Sequence, residues 1–163
     1  MKFSRLLLLQ IILLLHSCAN QKKERLMEIM TPKQVIKIND NSKTFSGFVA
    51  VQMLFKNSLS SDLSGAEVTF SPQARSAWHD HPKGQLLVVN EGEGYIQQWG
   101  QEARRIKKGD VIWTPPGIKH WHGACEDKSL SHLALQESVN GSPVNWMEKV
   151  TDREYNKVVN NFK

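Results

Sequence analysis

From Phe45 onward the chain is a succession of short β-prone runs: "FVAVQMLF", "AEVTF", "QLLVVN", "GYIQQW", "DVIWT" and "SHLALQE". Turn signals separate them, among them "NSLSSDLSG", "HPKG", "NEGEG", "KKGD" and "PPG". Strands of this length at this spacing, with no helical period between them, restrict the fold to an all-β sandwich or small barrel. Only the end of the chain departs from the pattern. Thr151 followed by Glu154 is a capping-box pair ahead of "YNKVVNNF", which predicts a short C-terminal helix from Asp152 to about Val159. No internal repeat is present, and 163 residues suit one domain with a modest core.

The first 44 residues read differently. "MKFSRLLLLQIILLLHSC" places Lys2 and Arg5 ahead of an apolar run ending at Leu15, too short for a comfortable bilayer span and the right size for an export signal. With Leu15 three residues before Cys18 and Ser17 directly before it, the segment resembles the lipobox of bacterial lipoproteins. That resemblance implies a lipid-bearing Cys18 as the first mature residue, and an exported, membrane-anchored protein facing the periplasm or cell envelope. An uncleaved N-terminal anchor is the competing reading, since His16 is unusual in a lipobox. Residues 1–17 are thus assigned to the signal, 18–44 to a tether with a lead-in strand at "QVIKI", and 45–163 to the folded domain. Removing Lys2 and Arg5 lowers the formal charge from +5 to +3. The remaining basic residues are scattered, with no basic helix or stacking module, so no nucleic-acid partner is expected. With Cys18 lipidated, Cys125 has no disulfide partner and reads as a quiet, partly buried thiol.

Four of the six histidines fall in two pairs, His79/His81 in "WHDHPKGQ" and His120/His122 in "PPGIKHWH". On an extended strand, alternate side chains share a face, so each pair points one way. The turn at "PKG" lets Gln85 return to the face of His79 and His81. A metal ion needs ligands from several chain segments, and facing strands provide them. The candidate ligand set is His79, His81, Gln85 and His120, three imidazoles and one amide oxygen, for a divalent transition metal.

"HDHPKGQLLVVNEG" resembles the first cupin motif, with Gln85 where most cupins carry glutamate. "GDVIWTPPGIKH", from Gly109 to His120, resembles the second. Gln73 stands where the first motif usually begins with glycine, and Ala124 where the second often ends in asparagine. The resemblance extends from about Glu67 to Tyr155 and is nearest to a cupin subgroup containing the manganese-dependent (R)-selective hydroxynitrile lyases of bacteria. It implies a cupin-type antiparallel β-barrel (double-stranded β-helix or jelly roll), a site for Mn2+, with Fe, Ni or Zn as alternatives, and a small-molecule substrate. A homodimer or higher homo-oligomer, through strand exchange or sheet packing, is expected from the exposed strand edges.

Replacing a carboxylate ligand with neutral Gln85 leaves the ion its full charge, which suits polarising a hydroxyl or carbonyl oxygen. His132 and Gln136 alternate onto one face of "SHLALQE", and the lyase resemblance implies that His132 exchanges the substrate hydroxyl proton. A buried, hydrogen-bonded core histidine is the other reading of His132. His122 assists, or orients a ligand through a hydrogen bond. Arg75 offers charge to an anionic substrate or leaving group, or is a surface guanidinium. Trp78, Trp99, Trp113 and Trp121 are expected to pack the barrel. Two function classes remain: a metal-dependent lyase cleaving cyanohydrin-type carbon–carbon bonds, and another metal-dependent cupin, either an oxygenase or isomerase, or a small-molecule binder without turnover.

Overall fold

The computed structural model describes residues 27, 29–31, 36–38, 42–56 and 61–163. The signal segment 1–17 and Cys18 lie outside the described residues. Twelve strands, all paired antiparallel, and one helix are present among those described. One half of the curled sheet runs β1 (Ile36–Ile38), β3 (Val49–Phe55), β4 (Leu63–Phe70), β11 (Leu130–Glu137), β7 (Gln85–Gln98) and β9 (Val111–Thr114). The other half runs β2 (Phe45–Ser46), β5 (Arg75–Ser76), β10 (His120–Ala124), β7 and β8 (Arg104–Lys107), with β6 (His79–Asp80) and β12 (Asn145–Trp146) at one end of β10. The all-β barrel expected from the strand spacing is what forms.

Strand β7 is common to both halves. "QLLVVN" and "GYIQQW" were expected as two strands separated by a turn at "NEGEG", but they form one continuous strand of 14 residues. The glycines mark a bend. Gly92 has φ +78°, and a Cβ there would lie 1.8 Å from the Ser129 carbonyl oxygen, so only glycine fits where the strand passes from one half to the other.

Alternation sets the interior. In β11, Leu130, His132 and Ala134 are buried while Ser131, Leu133 and Leu135 are partly exposed. The barrel core gathers Phe45, Val49, Phe70, Leu87, Val89 and Leu130. A second cluster lies outside it, where Trp78, Tyr95 and Trp121 pack against Val150, Tyr155 and Val158 of the C-terminal segment and helix. That helix, α1 (Asp152–Asn160), carries the full capping box, with Glu154 N–H donating to Thr151 Oγ1 and Thr151 N–H donating to Glu154 Oε2. Of the four tryptophans expected to pack the barrel, Trp78 and Trp121 are buried, but against the C-terminal segment and helix on its outside. Trp99 and Trp113 are 53% and 57% exposed: Trp99 lies in the turn after β7, edge-on to Trp78, and Trp113 is on the outward-facing side of β9. Cys125 is free and buried, and burial raises its thiol pKa.

Candidate metal centre and active site

The two histidine motifs meet directly, since His120 in β10 is the cross-strand partner of His79 in β6. Their turns are also tied together: the His81 carbonyl accepts hydrogen bonds from Gly84 N–H at 3.2 Å and Gly117 N–H at 3.0 Å. Gly84 has φ +81°, and a Cβ there would strike the Trp113 ring at 2.6 Å and the Thr114 carbonyl at 2.7 Å. This tight turn returns Gln85 to the wall that carries His79 and His81. All three line one cavity of about 320 Å3, together with His122, His132 and Gln136.

Hydrogen bonding to main-chain carbonyls fixes which ring nitrogen faces inward. Nδ1 of His79 lies 2.9 Å from the Ala77 carbonyl, Nδ1 of His81 lies 2.7 Å from that of Pro143, and Nδ1 of His120 lies 2.8 Å from that of Ile118. A carbonyl only accepts, so each Nδ1 carries the proton and each Nε2 carries the lone pair. Burial lowers the pKa of all three, that of His81 to about 4, so they are neutral near pH 7. Neutral imidazoles with Nδ1 held by a carbonyl are the form in which histidine binds a metal through Nε2.

Two observations test whether a cation fits. Nε2 of His81 is buried with no hydrogen-bond partner. Nε2 of His120 lies 3.4 Å from Oε1 of Gln85, so two acceptors face each other across the site. Such a pair is repulsive unless a cation lies between them, and the donor set of imidazole and amide suits a transition-metal ion. The ring nitrogens of His79, His120 and His122 also lie within 4.8 Å of one another, a three-histidine group that could hold a metal. The structure therefore sets Gln85 against His120 and His79 beside both His81 and His120, while the three-histidine group takes in His122 and leaves out His81.

His122 is held differently. Its Nδ1 lies 3.1 Å from Nε2 of His132, and both rings pack against Phe70. His132 is fully buried, its pKa is lowered to about 4 by that burial, and its Nδ1 has no partner. One proton lies between the two rings, and its position assigns their roles. If His132 Nε2–H donates to His122, then His132 Nδ1 is a free base and His122 Nε2 carries a proton. If His122 Nδ1–H donates, His122 Nε2 is free to ligate and His132 Nδ1 is protonated. Thus His122 as ligand and His132 as base exclude each other.

Gln136 contacts Gln85, whose Nε2 donates to Gln136 Oε1 at 3.2 Å, and Ser64, whose Oγ accepts from Gln136 Nε2 at 3.4 Å. Ser64 lies in neither motif, and only its alternation with Ala66 and Val68 would have pointed to it. Pro143 and Trp146, from the segment that covers the cavity, contact His81 and His79 and carry no sequence signal of that role.

Arg75 requires correction. It is neither at the surface nor among the cavity-lining residues; at 6% exposure, it points outward from the barrel core to the C-terminal segment. Its Nε donates to the Val150 carbonyl at 3.1 Å, its Nη1 to the Gln73 carbonyl at 3.2 Å, and its Nη2 pairs with Asp152. The guanidinium also lies over the Tyr155 ring, 4.9 Å from its centroid.

The profile of the cupin domain matches residues 66–135. An (R)-mandelonitrile lyase from Granulicella tundricola is 47% identical over 113 residues, covering 69% of this chain and 86% of that protein. The chain belongs to the cupin family. Among solved structures, a cupin-like protein from Thermotoga maritima superposes with a TM-score of 0.69 at 37% identity, covering 83% of this cupin and 97% of its own chain. The polyketide cyclase RemF from Streptomyces resistomycificus shares the fold, with a TM-score of 0.60 at 16% identity over 80% of this chain and 91% of its own.

Proposed function

We propose that this cupin is a metal-dependent lyase that cleaves cyanohydrin-type carbon–carbon bonds, with His79, His81, Gln85 and His120 holding a divalent ion, Mn2+ in the first instance. The observation that carries the reading is the inward set of lone pairs: three Nε2 atoms fixed by carbonyl-bound Nδ1–H groups, and the Gln85 amide oxygen. The similarity to the Granulicella tundricola lyase supports the choice of reaction. When bound, the metal supplies a Lewis acid that polarises a substrate oxygen and lowers the pKa of its hydroxyl.

The residues do the rest. His132 takes the hydroxyl proton at Nδ1, and its Nε2–H stays donated to His122 Nδ1, which orients the ring. This assigns His122 to positioning rather than ligation. As the carbonyl forms, the bond to the nitrile carbon breaks and cyanide leaves with the electron pair. The proton on His132 then passes to cyanide, giving an aldehyde and hydrogen cyanide. Val51, Met53, Val68 and Val144 make the opposing wall apolar, which favours a small uncharged substrate and keeps water from the base. The test is release of benzaldehyde from mandelonitrile by protein stripped with chelator and reloaded with Mn2+. Turnover that requires metal and is lost in His132→Ala, with metal content kept, is expected. Oxygen consumption instead, or a ligand recovered unchanged, would refute the lyase.

Export, anchoring through a lipid on Cys18 and self-association belong to the same proposal. Val111 and Trp113, 64% and 57% exposed on the outer face of β9, support a sheet-packed dimer; a monomer mass by light scattering would remove that part.

A further inference from the structure

Ser64, Gln136 and Gln85 occupy one row across three adjacent strands, since Gln136 in β11 is the register partner of Ser64 in β4 and of Gln85 in β7. Ser64 and Gln85 are 3% and 4% exposed and Gln136 is partly buried, which limits competition from water for their hydrogen bonds. We propose that Ser64 and Gln136 form a directional relay of positioning residues that turns the Gln85 amide so that its oxygen, and not its nitrogen, faces the metal position. The inference rests on the reading of Gln85 as a ligand.

The polarity of each link follows from the one before it. Ser64 Oγ–H donates to the Gln136 main-chain carbonyl at 3.1 Å, so its proton is spent there and its lone pairs remain. Oγ then accepts from Gln136 Nε2 at 3.4 Å, which turns Gln136 Oε1 toward Gln85. Gln136 Oε1 accepts from Gln85 Nε2 at 3.2 Å, which leaves Gln85 Oε1 facing His120 Nε2.

The relay works against a local preference. Without it, the Gln85 amide gains by turning over: its Nε2–H would donate to the His120 Nε2 lone pair and replace a contact between two acceptors with a hydrogen bond. That would quench two ligands at once. A metal would then have to break this bond before binding. Gln136 prevents the turn because its own oxygen would be left facing the Gln85 oxygen.

The relay also predicts how position 136 responds to charge. Glutamate at 136 is an acceptor only, so Gln136→Glu still takes the Gln85 Nε2–H and holds the amide. In a Gln85→Glu background, the same change sets two carboxylates against each other with no proton between them. Position 136 should therefore be permissive in one background and damaging in the other.

The experiment is titration of chelator-stripped protein with Mn2+, reading the free ion by its electron paramagnetic resonance signal, with thermal unfolding of each apo-protein as the control for folding. Gln85→Ala should bind more weakly than wild type. Gln136→Met, similar in size but without an acceptor amide, should weaken binding by about 10–100-fold, as lost outer partners of metal ligands typically do. Gln136→Glu should stay within about 10-fold of wild type, and should weaken Mn2+ binding when combined with Gln85→Glu, relative to Gln85→Glu alone. If Gln85→Ala is weakened while Gln136→Met binds as wild type does, the relay is wrong and the ligand reading stands. If Gln85→Ala binds as wild type does, both fall. If Gln136→Met does not fold, the two glutamate backgrounds decide alone, and equal responses in them overturn the relay.

Discussion

Arg75→Met separates a structural guanidinium from one that serves a substrate. In the folded chain, Arg75 has its side chain 7% exposed, whereas its carboxylate partner Asp152 is 90% exposed. The pair therefore contributes little beyond the 0–1 kcal/mol typical of solvated ion pairs, roughly. The main-chain acceptors matter more. Val150 is 1% exposed, and its carbonyl takes the Arg75 Nε–H. The Gln73 carbonyl takes an Nη1–H. A buried acceptor left unpaired costs about 1–3 kcal/mol, and methionine refills the volume without supplying a donor. Because Gln73 is exposed and water can satisfy its carbonyl, the Val150 carbonyl dominates, and Arg75→Met should cost about 2 kcal/mol, or roughly 6 °C in melting temperature for a domain of this size. Asp152→Asn should cost less than about 1 kcal/mol. Circular dichroism melts and urea titrations measure both, with Mn2+ content read in parallel and expected to be unchanged. An Arg75→Met protein that melts with wild type but has lost turnover would refute the clamp and return Arg75 to the substrate.

Three further outcomes follow from separate features. Gln73 holds φ +68°, a left-handed conformation that costs a non-glycine residue about 1–2 kcal/mol, so Gln73→Gly should raise stability by about 1 kcal/mol in urea titration, and a loss would refute the strain. Chelator-stripped protein should melt lower than protein with Mn2+ at 100 times its dissociation constant, by the equivalent of about 2.7 kcal/mol, and an unmoved melt would argue against a metal in the folded site. Cys18→Ser should release the protein from the membrane fraction or block its processing; a variant held in the membrane at the same apparent mass would identify an ordinary anchor.

The barrel was legible because half-buried antiparallel strands write their inward face into every second residue, as Leu130, His132 and Ala134 do. Strand β10 was not. It is buried along its whole length, so "HWHGA" shows no alternation and reads only as a histidine motif. The bend in β7 was misread as a turn between two strands because a glycine that lets another backbone approach looks, in sequence, like a glycine that turns a chain. Within the site, the imidazole pairs were visible because two side chains one residue apart on extended backbone share a face. The role of Arg75 was not, since its partners Val150 and Asp152 lie 75 and 77 residues away and only the closed fold unites them. Ser64 was missed for the same reason, being 72 residues from Gln136.

The interior of this barrel is poorly explained by stability alone. Five imidazoles and one amide, at His79, His81, His120, His122, His132 and Gln85, are each buried where aliphatic side chains would fill the same space. Main-chain carbonyls satisfy one nitrogen of three of these rings, but His81 Nε2 and His132 Nδ1 have no hydrogen-bond partner, and His120 Nε2 faces an acceptor. Each unsatisfied buried group opposes folding by about 1–3 kcal/mol. Three such groups are a sizeable fraction of the roughly 5–15 kcal/mol that separates folded from unfolded domains. The core of Phe45, Phe70, Leu87 and Leu130, the docked helix α1 and the Arg75 clamp offset that penalty. Stability is thus supplied by one set of residues and withheld by another. The withholding set is the one gathered at the candidate metal centre, which is the arrangement expected when a cation and a substrate complete the interior.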